Sequence, residues 1–261
     1  MHLLKVENIT YSVKVEKEKK KRFNILKNVS FNVDHGEILG ICGESGGGKS
    51  SLAKVIAGTI KPDEGSVTLN YEFNNVIKKS NPIQVLFQNH GEILNPLRKI
   101  QSMIDETLKI NGVDKNNLEK ERENVLSSVG FPKELYSRRG FQLSGGEQQR
   151  AALARLISAK PVLLILDEPF SAQDVESQLK LIKLFKKLNT EFSITMICIS
   201  HDLRLLRYLV DRVIVIKEGE IVESGVTSDV FSQPQNKYTK FLLSAEALNL
   251  TYGEIKDSSK S

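Results

Sequence analysis

The residues Gly43-Glu44-Ser45-Gly46-Gly47-Gly48-Lys49-Ser50 fit the pattern G-x-x-x-x-G-K-[ST], and they follow the apolar run Ile38-Leu39-Gly40-Ile41-Cys42. An unbroken run of that length reads as a strand buried on both faces, which calls for a parallel sheet covered by helices on either side. A helix is expected to begin near Ser50. The glycines would then let backbone N–H groups turn around an anion, with Lys49 bringing charge to its outer phosphates and the Ser50 hydroxyl offering an oxygen to Mg²⁺. Taken alone, the stretch also fits a Gly-rich turn.

A second apolar run, Leu163-Leu164-Ile165-Leu166, ends in Asp167-Glu168-Pro169. Another doubly buried strand is expected here, with both carboxylates at its C-terminal end, where parallel sheets open on their ligands. Neighbouring strand side chains point to opposite faces, so the two acids are expected to do different jobs. Asp167 suits the Mg²⁺ shell and Glu168 suits activation of a water as general base. In isolation the segment is also an acidic turn closed by Pro169.

The pentapeptide Leu143-Ser144-Gly145-Gly146-Glu147, followed by Gln148-Gln149-Arg150, makes the pattern specific. It resembles the signature motif of ABC-type ATPases. Phe87-Gln88 resembles that family's Q-loop, Ser171-Ala172-Gln173-Asp174 its D-loop and Ile199-Ser200-His201-Asp202 its H-loop, all in the expected order. The resemblance implies a P-loop NTPase (RecA-like) α/β core with an antiparallel β subdomain and an inserted helical subdomain. It implies ATP and Mg²⁺ as ligands. Gln88 would reach the metal with Ser50 and Asp167, and His201 would contact the terminal phosphate. The phosphate loop, carried through Ser51, would hold the nucleotide. His201 follows the apolar run 194–199 and is expected at the same sheet edge as Glu168.

Members of this family pair two ATPase subunits around two ATP molecules, so Ser144, Gly145, Gly146 and Glu147 would serve the partner's nucleotide, and Asp174 of the D-loop counts among the nucleotide-binding residues. Ser144, Gly145 and Gly146 precede a helical stretch, 147–158, whose exposed N–H groups and dipole would face an anion. Ser144 and Glu147 also have the spacing of a capping box. The chain departs from the family pattern at Glu147, where glutamine is commoner, and at Gln173, where leucine is usual. Neither change removes a group that binds phosphate, metal or water. The aromatic expected to stack on adenine is open between Tyr11, near the expected place, and Phe23, with Val13 at the matching position.

The 261 residues are 40% hydrophobic, enough for one substantial core, and a single ABC-type domain over 1–261 is expected. A helical insertion is expected over about 89–159 and a solvated tail over 255–261. No run approaches the ~20 apolar residues needed to span a bilayer, and residues 1–7 lack a signal-peptide core. A peripheral position on the cytoplasmic face of the cell membrane is therefore expected. Cys42 and Cys198 lie in apolar runs and read as buried thiols, so neither a disulfide nor a metal cluster is predicted. The net charge of +5 is concentrated in residues 14–23, read as a solvated hairpin loop, and no nucleic-acid recognition motif is seen.

Residues 87–100 with Asn95-Pro96, His201-Asp202-Leu203-Arg204-Leu205-Leu206, and the segment 236–245 resemble the oligopeptide, dipeptide and nickel importer branch. That resemblance implies two membrane permease subunits, docked beside Gln88, and indirectly an external solute-binding protein. A second ATPase subunit is implied too, a distinct one being favoured over a homodimer. The expected function is the energy-coupling ATPase of an importer for peptides, nickel or metal chelates. Other classes that share these motifs are a soluble ABC ATPase acting on ribosomes or DNA and an exporter of the lipoprotein-releasing type. A single cassette without sustained heptads argues against the first.

Overall fold

A computed structural model describes residues 2–14, 22–71, 80–87, 93–171 and 173–245. The chain divides into two compact units, one formed by 1–69 with 198–261 and the other by 70–197. Among the described residues no helix is long and apolar enough to cross a membrane.

In the first unit, β1 (His2–Lys14) lies between β2 (Arg22–Asp34) and β4 (Glu64–Leu69) in an antiparallel sheet. Alternating positions Leu4, Val6, Leu26, Val29 and Val33 supply its buried face. Both long strands carry a left-handed asparagine, Asn8 and Asn28 at φ of 52°, beside the register shifts between Val6 and Ile9 and between Ile9 and Tyr11. Asparagine tolerates that left-handed conformation, so the strands continue through a bulge. β2 accordingly begins at Arg22 and runs on through Asn28. The hairpin reading of 14–23 holds at its stem, where Lys14 pairs with Arg22; its tip, 15–21, lies outside the described residues.

β3 (Ile38–Cys42) is buried throughout, pairs in parallel with β8 (Arg212–Lys217), and leads into α1 (Lys49–Ile56). β8 turns at Glu218-Gly219 into antiparallel β9 (Glu220–Val226). α6 (Leu203–Leu209) and α7 (Thr227–Ser232) complete the ordered elements here, with a further helical stretch over 237–245. The expected tail at 255–261 lies outside the described residues.

In the second unit, β5 (Ile83–Leu86) pairs in parallel with β6 (Leu163–Asp167), and β7 (Thr195–Ile199) is the next strand beyond β6. All five residues of β6 are buried, as its apolar run required. The helices are α2 (Ile100–Ile110), α3 (Leu118–Ser128), α4 (Gly145–Ser158) and α5 (Val175–Phe192). Ile100, Met103, Ile104 and Leu108 recur at helical spacing and bury one stripe of α2. α4 ends at Ser158, as expected of the stretch 147–158, and α5 closes on Ser193 at φ 52°. Cys42 and Cys198 are both buried and unbridged.

Candidate functional site

The phosphate loop hangs between β3 and α1, and two glycines in it are steric necessities. At Gly43, φ is 142° and an added Cβ would lie 2.0 Å from the Ile216 carbonyl oxygen; at Gly48, φ is 97° and the Cβ would lie 2.7 Å from that of Ile25. Gly48 is the N-cap of α1 and brings no side chain to that helix's N-terminus, where backbone amides and the helix dipole favour an anion. Glu44, Ser45 and Gly46 are exposed at the rim. Lys49 is buried, and its Nζ donates 2.8 Å bonds to the carbonyl oxygens of Gly43 and Glu44, arching across the loop it is to serve. The Ser50 and Ser51 side chains open the helix, Ser50 being exposed.

His201 belongs to the same unit as the loop. The preceding Ser200 donates its N–H to the carbonyl oxygen of Ile41, two residues before Gly43, at 3.1 Å, and its hydroxyl accepts the Asp202 N–H at 3.1 Å. Asp202 then caps α6, accepting from the Arg204 and Leu205 amides at 3.0 and 3.3 Å and from the Arg204 guanidinium. Burial pushes the Asp202 carboxyl up, yet the Arg204 contacts and the two amides outweigh it and hold the group below its ordinary range. His201 is thus an exposed ring on a turn fixed from both sides, attached to the strand that feeds the phosphate loop.

The hairpin of β1 and β2 carries all three residues weighed for adenine. The close approach of Gly48 to Ile25 sets β2 against the loop, and Phe23 lies two residues before Ile25, across the register shift between Tyr11 and Ser12. Phe23 is 62% exposed and stands directly opposite Val13, which is 38% exposed; Tyr11 is half-buried.

The second unit holds the acids and the signature. β6 ends at Asp167, which is buried, and Glu168 lies beyond it at φ 52°, half-buried, with its carbonyl accepting the Ser171 N–H at 3.3 Å. Strand alternation therefore does not reach Glu168, contrary to the expectation from the sequence. The left-handed residue, not a pleat, sets the direction of its carboxylate, and the difference between the acids is one of burial and backbone.

Ser144 and Glu147 do form the capping box: the Ser144 N–H donates to Glu147 Oε2 at 2.8 Å and the Glu147 N–H to Ser144 Oγ at 3.4 Å. Accepting the Ser144 amide holds the Glu147 carboxyl below the usual range. Gly145 and Gly146 follow Ser144, exposed, at the first positions of α4. Asp174 caps α5, taking the Ser177 amide at 2.9 Å and its hydroxyl at 2.8 Å, and the amide is the main cause of its lowered pKa. A cleft of about 830 Å³ is lined by Gly145, Gly146, Gln149, Arg150, Gln173 and Asp174 among others. Gln149, buried at 2% exposure, was not singled out in the sequence. Its amide donates to Pro169 O at 2.8 Å and accepts from Gln173 at 2.6 Å, tying the signature helix to the turn after Glu168. Gln88 and Ala172 lie outside the described residues.

The profile of the ABC transporter family matches residues 26–171, more than half of the chain. The chain belongs to the ABC transporter family. Among curated ABC relatives, the oligopeptide transport ATP-binding protein OppF of Streptococcus mutans is 34% identical over 251 residues, 93% of this chain and 81% of that protein. OppF of Lactococcus lactis is 35% identical over 224 residues, 83% of this chain and 70% of the relative. The dipeptide transport ATP-binding protein DppF of Haemophilus influenzae is 37% identical over 238 residues, covering 87% and 72%.

Solved ABC structures agree. The dimeric cassette MJ0796, in a post-hydrolysis state bound to ADP and Pi, has a TM-score of 0.73 and 28% identity over 86% of this chain and 98% of its own. The cbiO1 protein of Clostridium perfringens, part of the ABC transporter complex cbiONQ, gives 0.77 and 25% over 100% and 99%. The family resemblance, the P-loop α/β fold class and the ATPase class expected from the motifs are borne out.

Proposed function

We propose that the chain is the ATP-hydrolysing, energy-coupling subunit of an ABC importer for peptides. The observation that carries this reading is the match, at 34–37% identity over more than four-fifths of the chain, to ATP-binding proteins of oligopeptide and dipeptide transport. The other solutes of that branch, nickel and metal chelates, draw no support from those relatives. Neither do the ribosomal, DNA-directed and lipoprotein-exporting readings.

The chemistry follows from groups already placed. The amides opening α1 and the Lys49 ammonium hold the ATP phosphates, where positive charge lowers the cost of charge developing on the transferred group. Gly43 and Gly48, at φ values that glycine takes readily, bend residues 43–48 into a loop at the head of α1 of the kind that fits a polyphosphate. Phe23 offers the more exposed aromatic face to adenine, ahead of Tyr11. Ser50 and Asp167 are hard oxygen donors of the kind Mg²⁺ takes, and Gln88 would join them. When bound, Mg²⁺ neutralises phosphate charge. Glu168 accepts the proton of the attacking water, and His201 contacts the γ-phosphate. Ser144, Gly145, Gly146 and Asp174 address the nucleotide of a partner cassette, so a lone chain carries half-sites.

Docking to two permease subunits, through which the protein would sit on the cytoplasmic face of the membrane, is supported by an apolar pair in the helical region. Leu97 and Phe141 are 71% and 60% exposed, and the Phe141 N–H donates to Pro96 O at 3.4 Å, which keeps the two segments together.

The test of the reaction is steady-state ATP hydrolysis by the chain assembled with its partner cassette. Glu168→Gln should lower turnover at least ~100-fold, within the range general-base loss produces, while ATP binding persists. Turnover near that of the unaltered protein would remove Glu168 from the role of base.

A further inference from the structure

The segment 236–245 resembles an importer branch but takes no part in the reaction described above, and its place in the structure gives it one. Glu223 on β9 accepts the Gln235 N–H at 2.7 Å and the Asn236 N–H at 3.1 Å, and the Asn236 side-chain amide donates to Val222 O at 3.2 Å. These bonds pin the start of the segment to the β8–β9 hairpin. Asn236 Oδ1 accepts the Tyr238 N–H at 2.8 Å, capping the helical turn that carries the tyrosine ring. Lys217, at the end of β8, sets its ammonium 5.1 Å from the centre of that ring.

So held, the Tyr238 hydroxyl oxygen accepts the N–H of Glu44 at 2.9 Å. Glu44 is the residue on which the phosphate loop closes: its carbonyl oxygen accepts the Gly47 N–H at 3.2 Å and Lys49 Nζ at 2.8 Å. Both main-chain polar groups of Glu44 are thus committed, one to the C-terminal segment and one to the loop itself. An exposed loop residue would otherwise be ordered only by its neighbours, at the usual entropic cost of fixing a backbone.

We propose that Tyr238 is a positioning residue of the nucleotide site, holding Glu44 so that the phosphate loop and Lys49 are set for ATP before it arrives. The proposal rests on the reading of residues 43–51 as the ATP phosphate site. Burial keeps the phenol above its ordinary pKa, against the lowering effect of the Glu44 amide, so the hydroxyl stays neutral and able to accept across the working pH range. Pre-ordering of this kind acts on binding more than on the chemical step.

Tyr238→Phe deletes the hydroxyl and keeps the ring over which Lys217 lies. In the full-length chain, titration with a fluorescent ATP analogue should give a Kd about threefold to tenfold higher, the worth of about one hydrogen bond. KM for ATP should rise more than kcat falls, and the Glu44 amide proton should move upfield in an ¹⁵N-resolved NMR spectrum. Kd unchanged from the unaltered chain, whether or not the melting temperature falls, would overturn the proposal and leave Tyr238 a packing residue. Lys49→Ala run alongside separates the two claims. Binding abolished by Lys49→Ala and unaltered by Tyr238→Phe sinks the tyrosine alone; binding unaltered in both sinks the phosphate-loop reading beneath it.

Discussion

Gln149 and Gln173 show what single residues do that motifs do not announce. Gln173 replaces the leucine usual in this family's D-loop, and the structure gives it a partner: its amide donates to buried Gln149, which itself donates to Pro169 O. Gln149→Leu strands the Gln173 amide and the Pro169 carbonyl together, and Gln173→Leu strands a buried Gln149 oxygen. Each is expected to cost about 1–3 kcal/mol, with the double variant costing less than the sum, because the second change removes the group the first left unpaired. Urea denaturation of the three variants checks this; strictly additive losses would mean the pair is not coupled. Neither contact was readable in the sequence, since a glutamine in a helix is by default a solvated one. The left-handed Glu168 was equally hidden. The run of apolar residues into Asp167 marks the strand but not the residue at which its pleat stops.

At the scale of elements, the sequence was most legible where apolar residues run unbroken or recur at helical spacing, or where a capping box opens a helix. β3 and β6 were visible as continuous apolar runs, α2 and α3 as stripes, and α4 by its capping box. The long, bulged strands β1 and β2 were less so, because Asn8 and Asn28 resemble turn residues and only the tertiary pairing carries the strands past them. The α4 cap also makes a testable statement about Glu147. Its folded pKa is lowered, so the charged cap contributes stability above the unfolded value of about 4.3 and loses it as pH falls through the lower folded value. In the variant Glu147→Gln, glutamine, commoner here in the family, still accepts the Ser144 amide but brings no charge to the helix N-terminus. The unaltered chain is expected to melt slightly higher than this variant at pH 7, with the gap closing as pH falls below about 4. Ser144→Ala should lose about 1 kcal/mol at neutral pH, by loss of the cap itself. A difference in melting temperature between the unaltered chain and the Glu147→Gln variant that stays constant from pH 7 down to about 3 would contradict the assignment.

For the whole molecule, the motifs carried the family and the class of reaction, and the proposed partners rest on surface that one chain leaves exposed. Gly145 and Gly146 of the signature are exposed at the head of α4, and Leu97 and Phe141 present apolar surface in the helical region that follows Gln88 in the sequence. The solute was not legible, because no residue of an ATPase subunit need touch it. The central claim, an ATPase that works on a permease with a second cassette, is tested most directly by capture. The Glu168→Gln chain, held with ATP and recovered from detergent-solubilised cells, should bring with it two membrane permeases and a second cassette ATPase, identified by mass spectrometry. Recovery of ribosomal or DNA-repair proteins without any permease would contradict the account.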